Sequence, residues 1–237
     1  MYRPTSFSQL PEVVKNLLII NGLCFLAKIT LENKGIDLTQ ILALHQFQSP
    51  NFRPYQLITH FFMHANFTHL FFNMFALWMF GKILENFWGG KRFLIFYMFT
   101  GIGAALLHLS FCQYQISSLT NNMPELIDLA RKGLYNTSIT NSLKLTQLVN
   151  TPTVGASGAV FGILLAFGML FPNTLLYIYF AIPIKAKYFV IAYGCLELYL
   201  GLSNNPADNI AHFAHLGGML FGFILLKYWQ KKRNTFY

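Results

Sequence analysis

The chain has 237 residues, of which 54% are hydrophobic and only 11% are charged, whereas about a quarter of the residues of a soluble domain carry a charge. Together with a mean hydropathy of +0.44, this composition excludes an ordinary soluble globule, because a chain of this size cannot bury so much apolar surface. The net charge of +9 does not indicate nucleic-acid binding, since the basic residues lie mostly between or after apolar runs, as in membrane proteins.

Six apolar stretches are long enough to cross a bilayer, which takes about 20 helical residues. They lie near residues 13–31, 61–84, 93–112, 156–171, 186–202 and 211–229. We therefore predict an all-α membrane protein, a bundle of six transmembrane helices that forms one membrane domain over residues 1–237.

The distribution of Lys and Arg predicts the orientation of this bundle. With a cytoplasmic N-terminus, most basic residues outside the spans fall on the cytoplasmic side, so both termini are expected there. No recognisable organelle presequence precedes the first span. We therefore expect an integral multi-pass protein of a bacterial cytoplasmic (inner) membrane.

A polar segment, residues 113–152, separates the third and fourth spans on the predicted outer side. Within it, Pro124 opens a short helical pattern with an apolar flank and an i,i+4 pair of Asp128 and Lys132. Two interpretations stay open, a helix on the membrane surface and a disordered loop. The earlier segment 32–59 is too long for a tight turn, and its apolar residues suggest that it dips into the interface.

Ionisable and polar side chains are costly inside a bilayer, so those within spans are functional candidates. The second span carries a group of polar residues, the fourth opens with a small-residue run, and the sixth carries two histidines. These are His60, His64, His69 and Asn73, then Gly155-Ala156-Ser157-Gly158, then His212 and His215. The three spans run in the same direction, from the outer to the cytoplasmic face. At 1.5 Å per residue, four side chains lie about 18 to 24 Å from the cytoplasmic ends of their spans, namely those of His69, Asn73, Ser157 and His215. A serine, a histidine and two hydrogen-bond donors are thus expected to converge.

This combination indicates nucleophilic chemistry. Ser157 becomes a nucleophile when a base takes its proton, and His215 is the candidate base. The start of a helix at Ser157 favours a developing negative charge, and His69 and Asn73, four residues apart, share a face from which to stabilise an oxyanion. Phe161 is expected to pack against the His215 ring and to hold its orientation where no carboxylate is available.

The joint pattern resembles the rhomboid family of intramembrane serine proteases. The resemblance covers roughly residues 57–229 and rests on three motifs, with weaker matches such as Gly81-x-x-x-Glu85 between them. The motifs are His69-x-x-x-Asn73, Gly155-Ala156-Ser157-Gly158 and Ala214-His215-Leu216-Gly217-Gly218-x-x-x-Gly222. Such joint occurrence is more specific than any single short motif.

The resemblance implies a six-helix core with a Ser-His dyad that has no third acid and needs no metal or organic cofactor. It makes Ser157 the nucleophile and His215 the general base, with an oxyanion hole formed by His69, Asn73 and the Ser157 backbone. Supporting cavity residues are His64, Gly155 and Phe161. The implied partners are membrane lipids and transmembrane protein substrates, which would be cleaved near the outer membrane face.

The long 113–152 segment departs from the family's compact form, and no Trp-Arg pair occurs in the first outer loop. Parts of the sequence also suggest two other functions. His60 and His64 have the i,i+4 spacing of zinc ligands but lack the glutamate of His-Glu-x-x-His. A non-catalytic rhomboid-like protein that binds membrane helices would be expected to have lost the serine or the histidine. Glu197 is interpreted as a buried structural or cavity group and is not assigned to the chemistry.

Overall fold

The computed structural model describes residues 10–121, 123–134, 142–178, 181–203 and 211–233, and these are mostly helical. The helices before the polar segment are α1 (Glu12–Glu32), α2 (Leu38–Leu42), α3 (Gln56–Thr59), α4 (Phe67–Ala76), α5 (Lys82–Trp88) and α6 (Gly90–Thr120). A 3-10 turn (His60–Phe62) follows α3, and a π-helical turn (Leu77–Gly81) joins α4 to α5. The later elements are α7 (Pro124–Arg131), α8 (Ser142–Asn150), α9 (Ser157–Leu170), β1 (Leu175–Ile178), β2 (Ile182–Lys185), α10 (Ala186–Leu202) and α11 (His212–Arg233).

Within the described residues, three helical runs are long and apolar enough to cross a membrane. They are α1, the continuous run Phe67–Trp88 and α6, while α9 is a shorter apolar helix. Large apolar side chains on these runs remain exposed, among them Leu23 at 59% and Phe72 at 63%. Surfaces of this kind suit contact with lipid.

The second predicted span begins later than expected, because the chain from His60 to Asn66 is not a continuous α-helix. The side chain of Asn66 accepts a hydrogen bond from the backbone N–H of His69 at 2.8 Å and caps the start of α4. Asparagine is among the best residues for this position. His60 and His64 therefore precede the helix that carries His69 and Asn73.

A short antiparallel hairpin of β1 and β2 interrupts the all-α architecture that we expected. Leu175 pairs with Lys185 and Ile178 pairs with Ile182. Pro183 disfavours a helix here because it has no backbone N–H to donate, and an edge strand of a two-stranded hairpin tolerates it.

The centre of the bundle is formed by α6, α9 and α11, which approach each other at glycines. A Cβ atom on Gly218 would lie only 1.8 Å from the carbonyl oxygen of Gly158, and one on Gly217 would lie 2.9 Å from the Cα of Ala104. Such small residues allow two helix backbones to touch. The close contact brings together the helices that begin with Ser157 and His212.

The polar segment contains two packed helices. Ile116 on α6, Ala130 on α7 and Leu145 and Val149 on α8 form one buried apolar cluster. The apolar flank of α7 thus contacts protein, because α6 extends well past its expected end. The partner of Asp128 is Arg131, at 2.9 Å, and not Lys132 as expected. Residues 135–141 of this segment lie outside the described part of the chain.

The segment between α2 and α3 is ordered around one buried glutamine. The Gln56 side-chain oxygen accepts from the backbone N–H groups of His45 and Arg53, and its amide nitrogen donates to the carbonyls of Ile41 and Asn51. A fully buried amide that satisfies four backbone groups stabilises an irregular loop.

Helix α1 is attached to the rest of the bundle near both ends. The Glu85 carboxylate accepts hydrogen bonds from the backbone N–H groups of Val13 and Val14 at 2.9 and 2.7 Å. The Lys28 ammonium donates to the carbonyls of His64 and Ala65, both at 3.0 Å. A carboxylate at the start of a helix also interacts favourably with the helix dipole.

Candidate active site

Ser157 and His215 lie within hydrogen-bonding distance of each other. Ser157 is the first residue of α9 and His215 lies in the first turn of α11. The Oγ of Ser157 is 3.0 Å from the Nε2 of His215. Ser157 is half-buried, and 12% of the His215 side chain is exposed. The pair has the separation that a nucleophile and its base require.

The loop before Ser157 is held in a conformation that suits glycine. Gly155 has a φ of +118°, and its backbone N–H donates to the His60 carbonyl at 2.9 Å. A Cβ atom on Gly155 would lie 2.8 Å from the Cε1 of His69 and 3.6 Å from the Oγ of Ser157. The absence of a side chain at Gly155 therefore lets the His69 ring approach the serine.

The two candidate oxyanion donors differ in their surroundings. The half-buried His69 ring lies beside Gly155, with its Nδ1 3.4 Å from the backbone nitrogen of Ala65. Asn73 is buried one turn further along α4, and its Nδ2 donates to the His69 carbonyl at 2.9 Å. The amide of Asn73 retains a second donor hydrogen. The His69 ring is thus next to Ser157, whereas the Asn73 side chain is hydrogen-bonded to the backbone of its own helix.

His64 lies beside His69, and the two ring centroids are 5.1 Å apart. The His64 side chain is buried, and neither ring nitrogen makes a well-formed hydrogen bond within the described part of the chain. His60, in contrast, is bonded through Nδ1 to the Gln56 carbonyl at 2.7 Å. The two histidines that have the spacing of zinc ligands therefore have unlike surroundings.

The aromatic contact expected at His215 is present. The ring of Phe161 stacks on that of His215, with centroids 4.1 Å apart and planes inclined by 7°. Phe161 also stacks with Tyr193 of α10, at 5.1 Å. The plane of the imidazole is therefore supported by packed aromatic rings.

A carboxylate that the sequence pattern does not link to the chemistry also contacts His215. The Oε2 of Glu197, on α10, lies 2.8 Å from the Nδ1 of His215 and 2.6 Å from the Nδ1 of His212. Only 6% of the glutamate side chain is exposed. The expectation that the ring is oriented without a carboxylate is therefore wrong.

Two features of the sequence point to Glu197, although neither specifies its partner. It is an acidic residue within a 17-residue apolar helix, where an uncompensated charge would be costly. His212 and His215 lie three residues apart and share one face of α11. Only the packing of α10 against α11 joins these two features.

The same three residues also have the composition of a metal site. One ligand atom from each of Glu197, His212 and His215 lies within 4.8 Å of the others. The separations of 2.6 and 2.8 Å between carboxylate oxygen and imidazole nitrogen are those of direct charge-assisted hydrogen bonds. At these separations the carboxylate and the two imidazoles bond to one another directly.

Several known proteins are similar to this chain in sequence. "Rhomboid protein 1, mitochondrial" of Saccharomyces cerevisiae is 29% identical over 177 residues, which cover 73% of this chain and 42% of the yeast protein. An uncharacterized mitochondrial rhomboid protein of Schizosaccharomyces pombe is 25% identical, with coverages of 97% and 68%. "RHOMBOID-like protein 12, mitochondrial" of Arabidopsis thaliana is 28% identical, with coverages of 87% and 55%. The chain thus spans about half the length of two of these relatives.

These similarities correct the expected location. The relatives are mitochondrial, and a further one from Arabidopsis thaliana is chloroplastic. They point to an organelle, and the expectation of a bacterial cytoplasmic membrane is wrong. The lack of a recognisable presequence does not locate the chain, because the chain corresponds to only part of the length of several relatives.

The family model for the Rhomboid domain matches residues 51–231, more than half of the chain. The matched region contains every residue of the candidate site from His60 to His215. The chain belongs to the rhomboid family.

Proposed function

We propose that this chain is an intramembrane serine endopeptidase that cleaves transmembrane helices of membrane-protein substrates. Ser157 is the nucleophile and His215 the general base and acid. The observation that carries the proposal is the 3.0 Å separation between Ser157 Oγ and His215 Nε2. Members of the rhomboid family are generally intramembrane serine proteases, which supports the same assignment.

The proposed reaction begins when the Oγ of Ser157 attacks the carbonyl carbon of a peptide bond and His215 takes the hydroxyl proton. The carbonyl oxygen becomes a tetrahedral oxyanion, which the backbone N–H of Ser157, the ring of His69 and the amide of Asn73 stabilise. The second amide hydrogen of Asn73 serves here, since its first is bonded to the His69 carbonyl.

The C–N bond then breaks, and the protonated His215 gives its proton to the leaving amine. Water then attacks the acyl carbon on Ser157 while His215 takes one of its protons. The bond to Ser157 Oγ breaks, and His215 returns the proton to this oxygen as the carboxyl product leaves. In each half of the reaction one proton moves to the imidazole and is then passed on, so that His215 ends in its starting form. This chemistry uses no metal or organic cofactor.

In the proposed arrangement, α1, the run Phe67–Trp88, α6, α9, α10 and α11 are six membrane spans of a single domain. Residues 113–152 form a polar insertion between the third and fourth spans. Substrate helices and lipids contact the bundle, and cleavage occurs near the membrane face at which α4 and α9 begin. His64, Gly155 and Phe161 support the cavity. The ring of His64, which makes no well-formed hydrogen bond to the residues that the structure describes, suits a water-filled space.

The test is cleavage of a single-span model substrate in proteoliposomes, alongside labelling by a serine-reactive fluorophosphonate. Ser157→Ala and His215→Ala are expected to abolish both. Ser110→Ala is a matched control, because Ser110 is exposed on α6 and its hydroxyl donates to the Leu106 carbonyl; it should cleave and be labelled like the wild type. Labelling that survives Ser157→Ala would refute the proposal. Substrate binding by folded wild-type protein without cleavage or labelling would indicate a non-catalytic membrane-helix binding protein instead.

A further inference from the structure

Three groups from three helices lie in one hydrogen-bonded line. The carboxylate of Glu197 is 2.8 Å from the Nδ1 of His215, and the Nε2 of the same ring is 3.0 Å from the Oγ of Ser157. The Glu197 side chain is 6% exposed, so its hydrogen bonds act in a medium of low dielectric, where they are stronger than in water.

We propose that Glu197 is a positioning residue that acts through His215, so that the site is a Ser-His-Glu triad in place of a dyad. The inference rests on the proposed function, because it concerns the same nucleophile and base. Helix α10 then contributes to the activation of Ser157, together with α9 and α11.

The first part of the argument concerns the position of a proton. An ionised carboxylate can only accept hydrogen bonds, so the Nδ1 of His215 must carry the hydrogen that it shares with Glu197. In the neutral ring the Nε2 then has a free lone pair, and this nitrogen faces the Ser157 hydroxyl. Glu197 thereby selects the one neutral tautomer of His215 that can act as a base toward the serine.

The second part concerns the orientation of the ring. Stacking on Phe161 fixes the plane of the imidazole, with planes inclined by 7°, but a stacked ring can still rotate within its plane. The bond from Nδ1 to Glu197 restrains this rotation. Tyr193, one turn before Glu197 on α10, supports Phe161. The same helix therefore contributes to both restraints.

The third part concerns the carboxylate itself. The same oxygen of Glu197 lies 2.6 Å from the Nδ1 of His212. A carboxylate oxygen has lone pairs for two such bonds, and charge-assisted hydrogen bonds of this kind offset part of the cost of burying the charge. His212 thus holds the carboxylate in place for His215.

The test compares Glu197→Gln and Glu197→Asp with the wild type in the proteoliposome assay, with kcat and KM determined separately. A glutamine of the same shape can present its amide hydrogens to Nδ1 and so favour the hydrogen on Nε2. Glu197→Gln is expected to lower kcat by about 10²- to 10⁴-fold and to leave KM nearly unchanged. Glu197→Asp keeps the acceptor and should recover part of the lost kcat. Unchanged kcat in folded Glu197→Gln would overturn the inference.

Glu85→Gln is the matched control, because it also replaces a buried carboxylate in the bundle, one whose partners are backbone N–H groups of α1. Its kcat per folded molecule should equal that of the wild type. An equal loss of kcat in Glu85→Gln and Glu197→Gln would assign the effect to bundle stability and overturn the positioning role.

A spectroscopic measurement keeps the inference separate from the proposed function. In protein labelled with ¹⁵N-histidine, the NMR resonances of His215 are identified as those that the variant His215→Asn lacks. In the wild type they should show that the ring hydrogen is on Nδ1. In Glu197→Gln they should show that it is on Nε2. A hydrogen on Nε2 in the wild type would overturn the inference whether or not the protein cleaves. Wild-type protein without labelling or cleavage would refute the proposed function, and the tautomer would still be measurable. Loss of activity on treatment with a chelator would instead assign Glu197, His212 and His215 to a metal.

Discussion

Gly218 on α11 is in backbone contact with Gly158 on α9, since a Cβ atom on Gly218 would lie 1.8 Å from the Gly158 carbonyl oxygen. Both glycines lie within one turn of a proposed catalytic residue, Ser157 or His215. The separation of the two helices at this point therefore determines the distance between the serine and the histidine.

Gly218→Ala is expected to separate the two helices, because the carbonyl cannot move without its helix. We expect a loss of about 1–3 kcal/mol in the free energy of unfolding and a loss of cleavage in the molecules that remain folded. Thermal unfolding and the proteoliposome assay measure the two effects. Gly22→Ala is the control, because a Cβ atom there meets nothing within 4 Å among the residues that the structure describes, and cleavage should be kept. Full activity in Gly218→Ala would contradict the prediction.

Gly155→Ala is expected to abolish cleavage while the protein still folds. The new methyl group would meet the His69 ring at 2.8 Å, and the φ of +118° is unfavourable for alanine. Gly133→Ala separates the two causes, because Gly133 has a φ of +68° but no described residue within 4 Å of its Cβ position. We expect Gly133→Ala to keep its activity, and fluorophosphonate labelling of both variants makes the comparison. Wild-type labelling of Gly155→Ala would show that the contact with His69 is not needed.

Phe161→Leu removes the ring that stacks on His215 and keeps an apolar side chain with the same branch point at Cγ. Stacking of this kind contributes about 0.5–1.5 kcal/mol, so kcat should fall by a factor between about 2 and 12. Phe99→Leu serves as the control, because Phe99 contacts Phe221 away from the site and is 39% exposed. Steady-state kinetics measure kcat for both variants. Equal kcat values would refute the role of Phe161 in orienting the His215 ring.

Glu85→Gln is expected to destabilise the protein by about 1–2 kcal/mol. The amide of glutamine offers one acceptor oxygen to Val13 and Val14, whereas each oxygen of Glu85 accepts from one of them. Thermal unfolding measures the loss, and Glu12→Gln at the exposed first residue of α1 is the comparison. Equal melting temperatures for the two variants would contradict this role of Glu85.

Much of this arrangement could be predicted from the sequence, because it depends on regular periodicity. The apolar runs indicate where the helices lie, and the counts along them place Ser157 and His215 at one depth. The partner of Glu197 could not be predicted, since it depends on how α10 rotates against α11. The hairpin was missed because four-residue strands show no clear period. The start of α4 was misplaced because the cap at Asn66 depends on a single side chain.

The attachments of α1 have a consequence for the part of the chain that carries the family pattern. Val14 and Lys28 are separated by about 21 Å along the helix at 1.5 Å per residue, so contacts at two levels prevent α1 from sliding along its axis. The Rhomboid domain match begins only at residue 51. A fragment that begins at residue 51 would leave the Glu85 carboxylate buried without the backbone N–H groups of Val13 and Val14. The turn before His69 would also lose its hydrogen bonds from the Lys28 ammonium. The recognisable family pattern and the unit that must fold together are therefore different stretches of the chain.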